Sequence, residues 1–146
     1  MNIEFILTEG DLQLKIEEIL SYLVPYKIWL LEGEMGVGKT TLVNAIAAQL
    51  GDADEASSPS YTLINEYQFT KNRYQIEKLY HLDLYRLEKI SEALDIGIED
   101  VLYGTNICII EWPEIILPLL SHESVVHIRI ERVNIDERKY QIIKGE

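Results

Sequence analysis

The sequence predicts an α/β protein, a three-layer sandwich around a mixed sheet with antiparallel hairpin additions. Three observations carry this expectation. Ile28-Trp29-Leu30-Leu31 and Ile107-Cys108-Ile109-Ile110 are apolar at every position, the pattern of strands covered on both faces. Apolar residues at helical spacing flank the first of these runs on either side. Alternating segments later in the chain pair naturally as hairpins. With 146 residues, 47% of them hydrophobic, the chain can bury one substantial core but not comfortably two, so residues 1–146 are expected to form a single domain.

The elements follow in order. Asn2 to Leu7 reads as a first strand, and Thr8 with Asp11 three residues on has the form of a capping box opening a helix. Leu12, Ile16, Ile19, Leu20 and Leu23 give that helix one apolar stripe, and Pro25 ends it. Ile28 to Leu31 then runs as a buried strand into a glycine-rich loop. From Thr40, the residues Leu42, Val43, Ile46, Ala47 and Leu50 keep helical period until Gly51. Gly51 to Ser60 is small, acidic and serine-rich, a candidate mobile loop. Tyr61 to Phe69 and Ile76 to Tyr85 read as an antiparallel hairpin turning at Thr70 to Arg73. Ile90 to Tyr103 suggests short helical turns broken at Gly97. Ile107 to Ile110 is the second buried strand, and Val125 to Val133 pairs with Lys139 to Ile143 across Asn134-Ile135-Asp136.

Composition narrows the function. No run approaches the roughly 20 apolar residues that span a bilayer, and Met1-Asn2-Ile3-Glu4 lacks the basic start of a secretory signal, so a cytoplasmic protein is expected. The lone Cys108 sits within an apolar run, which argues against disulfide, redox or zinc chemistry. A net charge of -12, from 13 basic and 25 acidic residues, disfavours autonomous binding to nucleic acid, whose phosphates require clustered cations.

One motif is specific. Gly33-Glu34-Met35-Gly36-Val37-Gly38-Lys39-Thr40 is a P-loop in its required context, an apolar strand before it and an amphipathic helix after it. Such glycines let backbone N–H groups curl round phosphates. The helix start adds its positive end, Lys39 a point charge and Thr40 a hydroxyl for Mg²⁺. The fold expectation therefore becomes P-loop NTPase-like. No Asn-Lys-x-Asp element for reading guanine is present, so ATP is the expected nucleotide.

A P-loop needs a second carboxylate for the magnesium, commonly at the end of a neighbouring buried strand. Glu111, directly after Ile107 to Ile110, fits; Asp83 is its rival. In His81-Leu82-Asp83-Leu84-Tyr85-Arg86 the polar residues alternate with leucines, so His81, Asp83 and Tyr85 share one strand face, where they are placed to orient water or reach the metal. An ordinary half-buried strand would alternate in the same way. Trp112, next to Glu111, reads equally as a nucleotide neighbour or a core residue. Arg86 reads as a transition-state charge or, more simply, as half of a surface ion pair. Ser57 to Thr62, with Ser60 at its centre, sits where many P-loop proteins place a loop that senses the γ-phosphate.

Gly33 to Thr41, Ser58-Pro59-Ser60-Tyr61-Thr62-Leu63, His81 to Leu87 and Ile110-Glu111-Trp112-Pro113-Glu114 together resemble the bacterial TsaE family of tRNA threonylcarbamoyladenosine biosynthesis proteins, in order and spacing over nearly the whole chain. The resemblance implies an ATPase subunit that works with two larger proteins, TsaB and TsaD. Their product is a threonylcarbamoyl group on the adenosine beside the anticodon. It implies Lys39 and Thr40 as phosphate and magnesium residues, Glu111 as the magnesium carboxylate, Trp112 at the nucleotide and Asp83 in hydrolysis. It also places an N-terminal nucleotide contact near Thr8 to Asp11. The family usually has threonine where this chain has Ser60, which keeps the hydroxyl and loses β-branched stiffness. The alternative from another class is a small P-loop metabolite kinase, disfavoured by the short chain and scarce arginines. A nucleotide-dependent switch without useful hydrolysis is the third reading.

Overall fold

The computed structural model describes residues 2–51, 54–55 and 63–144. Strand β1 (Asn2–Thr8) leads into helix α1 (Glu9–Leu23), whose start is the expected capping box: the Asp11 amide donates to the Thr8 hydroxyl at 3.1 Å, and the Asp11 carboxylate accepts in return from the Thr8 amide. All five residues of the apolar stripe on α1 are buried, each contributing roughly 1.5–3 kcal/mol by removal from water. Strand β2 (Ile28–Glu32), helix α2 (Lys39–Leu50) and β3 (Asp54–Glu55) follow. Then come β4 (Ile64–Gln68) and β5 (Lys78–Asp83). Helices α3 (Ile90–Asp95) and α4 (Ile98–Leu102) meet at Gly97, whose φ of 80° suits glycine and breaks the helix where the sequence indicated. Strand β6 (Ile107–Glu111), a 3-10 turn over Pro113–Leu120, β7 (Val125–Arg132) and β8 (Glu137–Lys144) complete the described chain.

The strands form one sheet in the order β1-β8-β7-β2-β6-β5-β4-β3. Its centre is parallel, β2 lying between β6 and β7 with β5 beyond β6. The outer pairs β1–β8, β7–β8, β4–β5 and β3–β4 are antiparallel, which are the hairpin additions. Alternation within single strands builds the three layers. Trp29, Leu31 and Ile109 face α1 and α2, whereas Ile28, Leu30, Cys108 and Ile110 face the opposite layer with Ala93, Ile98, Leu102 and Ile116. Trp29 is wholly buried and its indole N–H donates to the Tyr26 carbonyl at 2.8 Å. Burial pushes the Cys108 thiol up to about 12, so it is a core side chain and not a nucleophile.

Besides shifts of one or two residues at the ends of β7 and β8, three features differ from the sequence reading. β5 begins at Lys78 and ends at Asp83, so Tyr85 stands in the turn beyond the strand. The β4–β5 connection is longer than a tight hairpin because the Asn72 side chain accepts from the Tyr74 and Ile76 amides and organises its own turn. The 3-10 turn has no counterpart in the sequence reading. Pro118 inside it removes a backbone donor and disfavours an α-helix, while Ile116 and Leu120 still find the core. The candidate mobile loop from Gly51 to Ser60 lies largely outside the described residues; within it, Asp54 and Glu55 pair with Gln68 and Tyr67 as β3.

Candidate nucleotide site

The site lies where β2, β6 and β5 end side by side. β2 delivers the glycine loop. A Cβ on Gly33 would stand 2.7 Å from a Val37 methyl and 3.0 Å from the Ile130 carbonyl, so only glycine lets the loop pass this close to β7. Gly38, at φ 123°, turns the chain into α2. No side chain caps that helix, and no acid stands in its first turn. Its dipole and first amides are therefore left to an outside anion. Glu34, Met35 and Gly36 form the exposed tip of the loop, Val37 is buried beneath it, and Thr40 is exposed.

Lys39 is buried, with its side chain 9% exposed, which a lysine tolerates only with partners. Its Nζ donates to the Gly33 carbonyl at 2.8 Å and stands 3.5 Å from Glu111 Oε1 and 4.6 Å from the centre of the Trp112 ring. Glu111 ends β6 and is equally buried; its Oε2 lies 2.6 Å from His81 Nε2. Burial raises the Glu111 carboxyl, but the His81 hydrogen bond and charge, with the Lys39 ammonium, outweigh it and hold the group below its ordinary value. Trp112 has φ 57°, an unusual conformation for a tryptophan, and its ring packs on Tyr85 at 5.0 Å. Trp112 thus belongs to the cleft and not to either core cluster.

Asp83, paired in register with Glu111, is exposed, and its Oδ1 accepts from the Tyr85 amide at 3.2 Å. Asp83, Arg86 and Thr40 share a cleft of about 390 Å³ with Lys39, Glu111 and Trp112. The sequence reading put His81 and Asp83 on one face. They are there, but they do different things: His81 holds Glu111 and Asp83 holds the turn after its own strand. Ser60, with the segment from Ser57 to Thr62, lies outside the described residues.

A second groove, of about 520 Å³, opens on the other side of the glycine loop between Thr8 to Gly10, Thr41 and the β7–β8 hairpin at Ile135. It depends on an interaction the sequence reading missed. The Arg138 Nε donates to the Val37 carbonyl at 2.8 Å while its Nη1 donates to the carbonyls of Asn134, Ile135 and Glu137, clamping hairpin to loop. Only the alternation that sends Arg138, Tyr140 and Ile142 to one face could have hinted at it. Among the described residues no group of three or more His, Cys, Asp or Glu side chains converges as a metal cage. A hydroxyl and one or two carboxylates beside a phosphate cradle is instead the donor set that suits magnesium, which keeps waters and shares substrate phosphates.

This architecture, a parallel sheet centre feeding a glycine loop with a buried lysine at the start of a helix, defines a P-loop NTPase fold. The chain belongs to the TsaE family: the family model described as "Threonylcarbamoyl adenosine biosynthesis protein TsaE" matches residues 8–140. Among its relatives, the tRNA threonylcarbamoyladenosine biosynthesis protein TsaE of Bacillus subtilis is 36% identical over 115 residues, 79% of this chain and 68% of that protein. Those of Treponema pallidum and Borreliella burgdorferi are 37% and 34% identical, over 65% and 73% of this chain and 66% and 74% of theirs. The crystal structure of Bacillus subtilis YdiB has the same fold, with a TM-score of 0.67, 24% identity, and coverage of 99% of this chain and 87% of that one.

Proposed function

We propose that this chain is an ATP-binding, magnesium-dependent ATPase of the cytoplasm. In this reading it supports formation of threonylcarbamoyladenosine beside the anticodon of tRNA and works with TsaB and TsaD. The observation that carries the reading is the uncapped start of α2, with the buried Lys39 facing the Glu111 carboxylate, in a chain of this family. ATP phosphates would lie on Gly33 to Thr41, and the groove bordered by Thr8, Gly10 and Ile135 would take the nucleoside end. Trp112 flanks the phosphate lysine. Thr40 and Glu111 would hold the magnesium, which when bound neutralises phosphate charge. Asp83, exposed at the cleft, is the residue for orienting water, and Ser60 is assigned to the γ-phosphate by resemblance alone.

Phosphates lying on the loop would compete with Glu111 for the Lys39 ammonium, which the Gly33 carbonyl already holds low in the cleft. Cradling the phosphates in a site that already holds the lysine low in the cleft lowers the cost of ordering it. The isolated chain is proposed not to bind tRNA. Its net charge is -12, and three of the basic residues near the C-terminus are already engaged, Arg129 with Glu32 at 3.5 Å, Lys139 with Glu131 at 3.6 Å and Arg138 with backbone carbonyls. Cationic surface for RNA then comes from the partners.

The test is phosphate release from ATP by the chain alone, then with TsaB and TsaD. Turnover that rises with the partners is expected; phosphoryl transfer to a small molecule would instead establish the kinase. Glu111→Gln should shift magnesium dependence to higher concentration, and the same shift from Asp83→Asn alone would exchange the roles of the two carboxylates.

A further inference from the structure

β5 sends Leu79, His81 and Asp83 to the face that carries the glycine loop, and burial falls along that row from core to cleft. Position 81 is the midpoint. Packing alone would be met there by any apolar side chain, yet the residue is a histidine whose side chain is 13% exposed and whose Nε2 points at a carboxylate. The register pairs Glu111 with Asp83, not with His81, so the carboxylate turns back along the sheet to make the bond. An ionised carboxylate only accepts, so Nε2 carries the proton. The two oxygens of Glu111 are thereby divided: Oε2 is held by His81 at 2.6 Å, and Oε1 faces Lys39 at 3.5 Å.

A glutamate has three torsions, and a single ammonium neighbour at 3.5 Å fixes none of them well. With Lys39 as its only partner, the carboxylate would follow the lysine or swing into the cleft when phosphates take the lysine over. We infer that His81 is a positioning residue for Glu111, its Nε2–H pinning Oε2 so that Oε1 alone faces the place where Thr40 and the phosphates would share a magnesium ion. This rests on the assignment of Glu111 as the magnesium carboxylate made above. The logic is that of partners that orient a ligand without touching the metal, whose loss costs about 10- to 100-fold in metal affinity.

The variants His81→Phe, His81→Asn, His81→Gln and Glu111→Gln separate the possibilities. A glutamine amide reaches roughly where Nε2 stands, and an asparagine amide stops short. Each full-length variant is titrated with magnesium in the presence of a non-hydrolysable ATP analogue, following Trp112 fluorescence against the buried Trp29, and its analogue affinity is measured in EDTA. His81→Phe and His81→Asn should raise the half-saturating magnesium concentration about tenfold, with affinity in EDTA kept within about twofold, and His81→Gln should restore it to within about threefold. If Glu111→Gln leaves magnesium dependence unchanged, the carboxylate assignment falls and this inference with it. If Glu111→Gln shifts it and the His81 variants do not, His81 alone is overturned. Equal losses with and without magnesium would mark it as structural and also overturn the inference. Should His81→Phe fail to fold, Gln against Asn decides: equal magnesium responses overturn the inference.

Discussion

Two helices begin on the rim of one groove and begin in opposite ways. α1 closes its own first turn. Thr8 and Asp11 exchange bonds across its start, and Glu9 and Asp11 place carboxylates against its positive end. α2, across the groove, starts at a glycine, has no side-chain cap and no acid in its first turn, and carries Lys39 there instead. Both helices inherit the same orphan amides and the same dipole. A start satisfied by the chain itself serves the fold; a start left open and made more positive still keeps a place for an anion. The contrast supports the proposed placing of phosphates at the start of α2.

The sharpest way to break the comparison is Lys39→Ala. Loss of the charge should abolish hydrolysis and weaken ATP binding by roughly tenfold or more, as phosphate release and calorimetry would read. Ordinary turnover in the folded variant would end the assignment. Thr41→Glu tests the open start directly by giving α2 the acid it lacks. Unfolding free energy should rise by about 0.3–1 kcal/mol while nucleotide affinity falls by roughly tenfold, because the new carboxylate competes for the same positive end. Stability and affinity moving in the same direction would refute the contrast.

On the other rim, Thr8→Ala removes the cap of α1 and should cost about 1 kcal/mol in urea unfolding. Because Thr8 also borders the groove proposed for the nucleoside, nucleotide affinity should fall as well, but by much less than in Lys39→Ala. A loss of binding as large as that of Lys39→Ala would mean the two starts serve the ligand alike. The smallest effect concerns pH. Glu111 sits below its ordinary value of 4.5 in the fold, so its contribution to stability is present above that value and is lost as pH falls through the lower, folded one. The stability gap between the wild type and Glu111→Gln should therefore be widest near neutrality and narrow below about pH 4.5. A gap that widens in acid would contradict the ion-pair account.

Much of this was legible beforehand because it is local. The stripe from Leu12 to Leu23, the capping box, the break at Gly97 and the glycine loop between strand and helix are patterns a few residues long, and each has one structural solution. The Tyr85 placement failed for the converse reason. Alternation continues past Asp83 in the sequence, but the Asp83 carboxylate takes the Tyr85 amide and the Leu84 carbonyl takes the Leu87 amide, so the chain turns away and the strand ends early. Pro113 to Leu120 drew no expectation, because an apolar run broken by Pro118 shows no one-sided helical stripe.

By itself the sequence determined the layers, the P-loop and the residue types at the chemistry, since periodicity and glycine spacing act over one turn or one strand. It could name Glu111 and His81 as candidates but could not bond them, nor set Trp112 over Lys39, nor run Arg138 to the Val37 carbonyl. Those contacts join residues 30, 73 and 101 positions apart. They exist only because the sheet order places β6 beside both β2 and β5 and seats the β8 hairpin against the loop. Which distant strands become neighbours is settled by burying two faces of one sheet at once, a property of the whole chain that no short pattern contains.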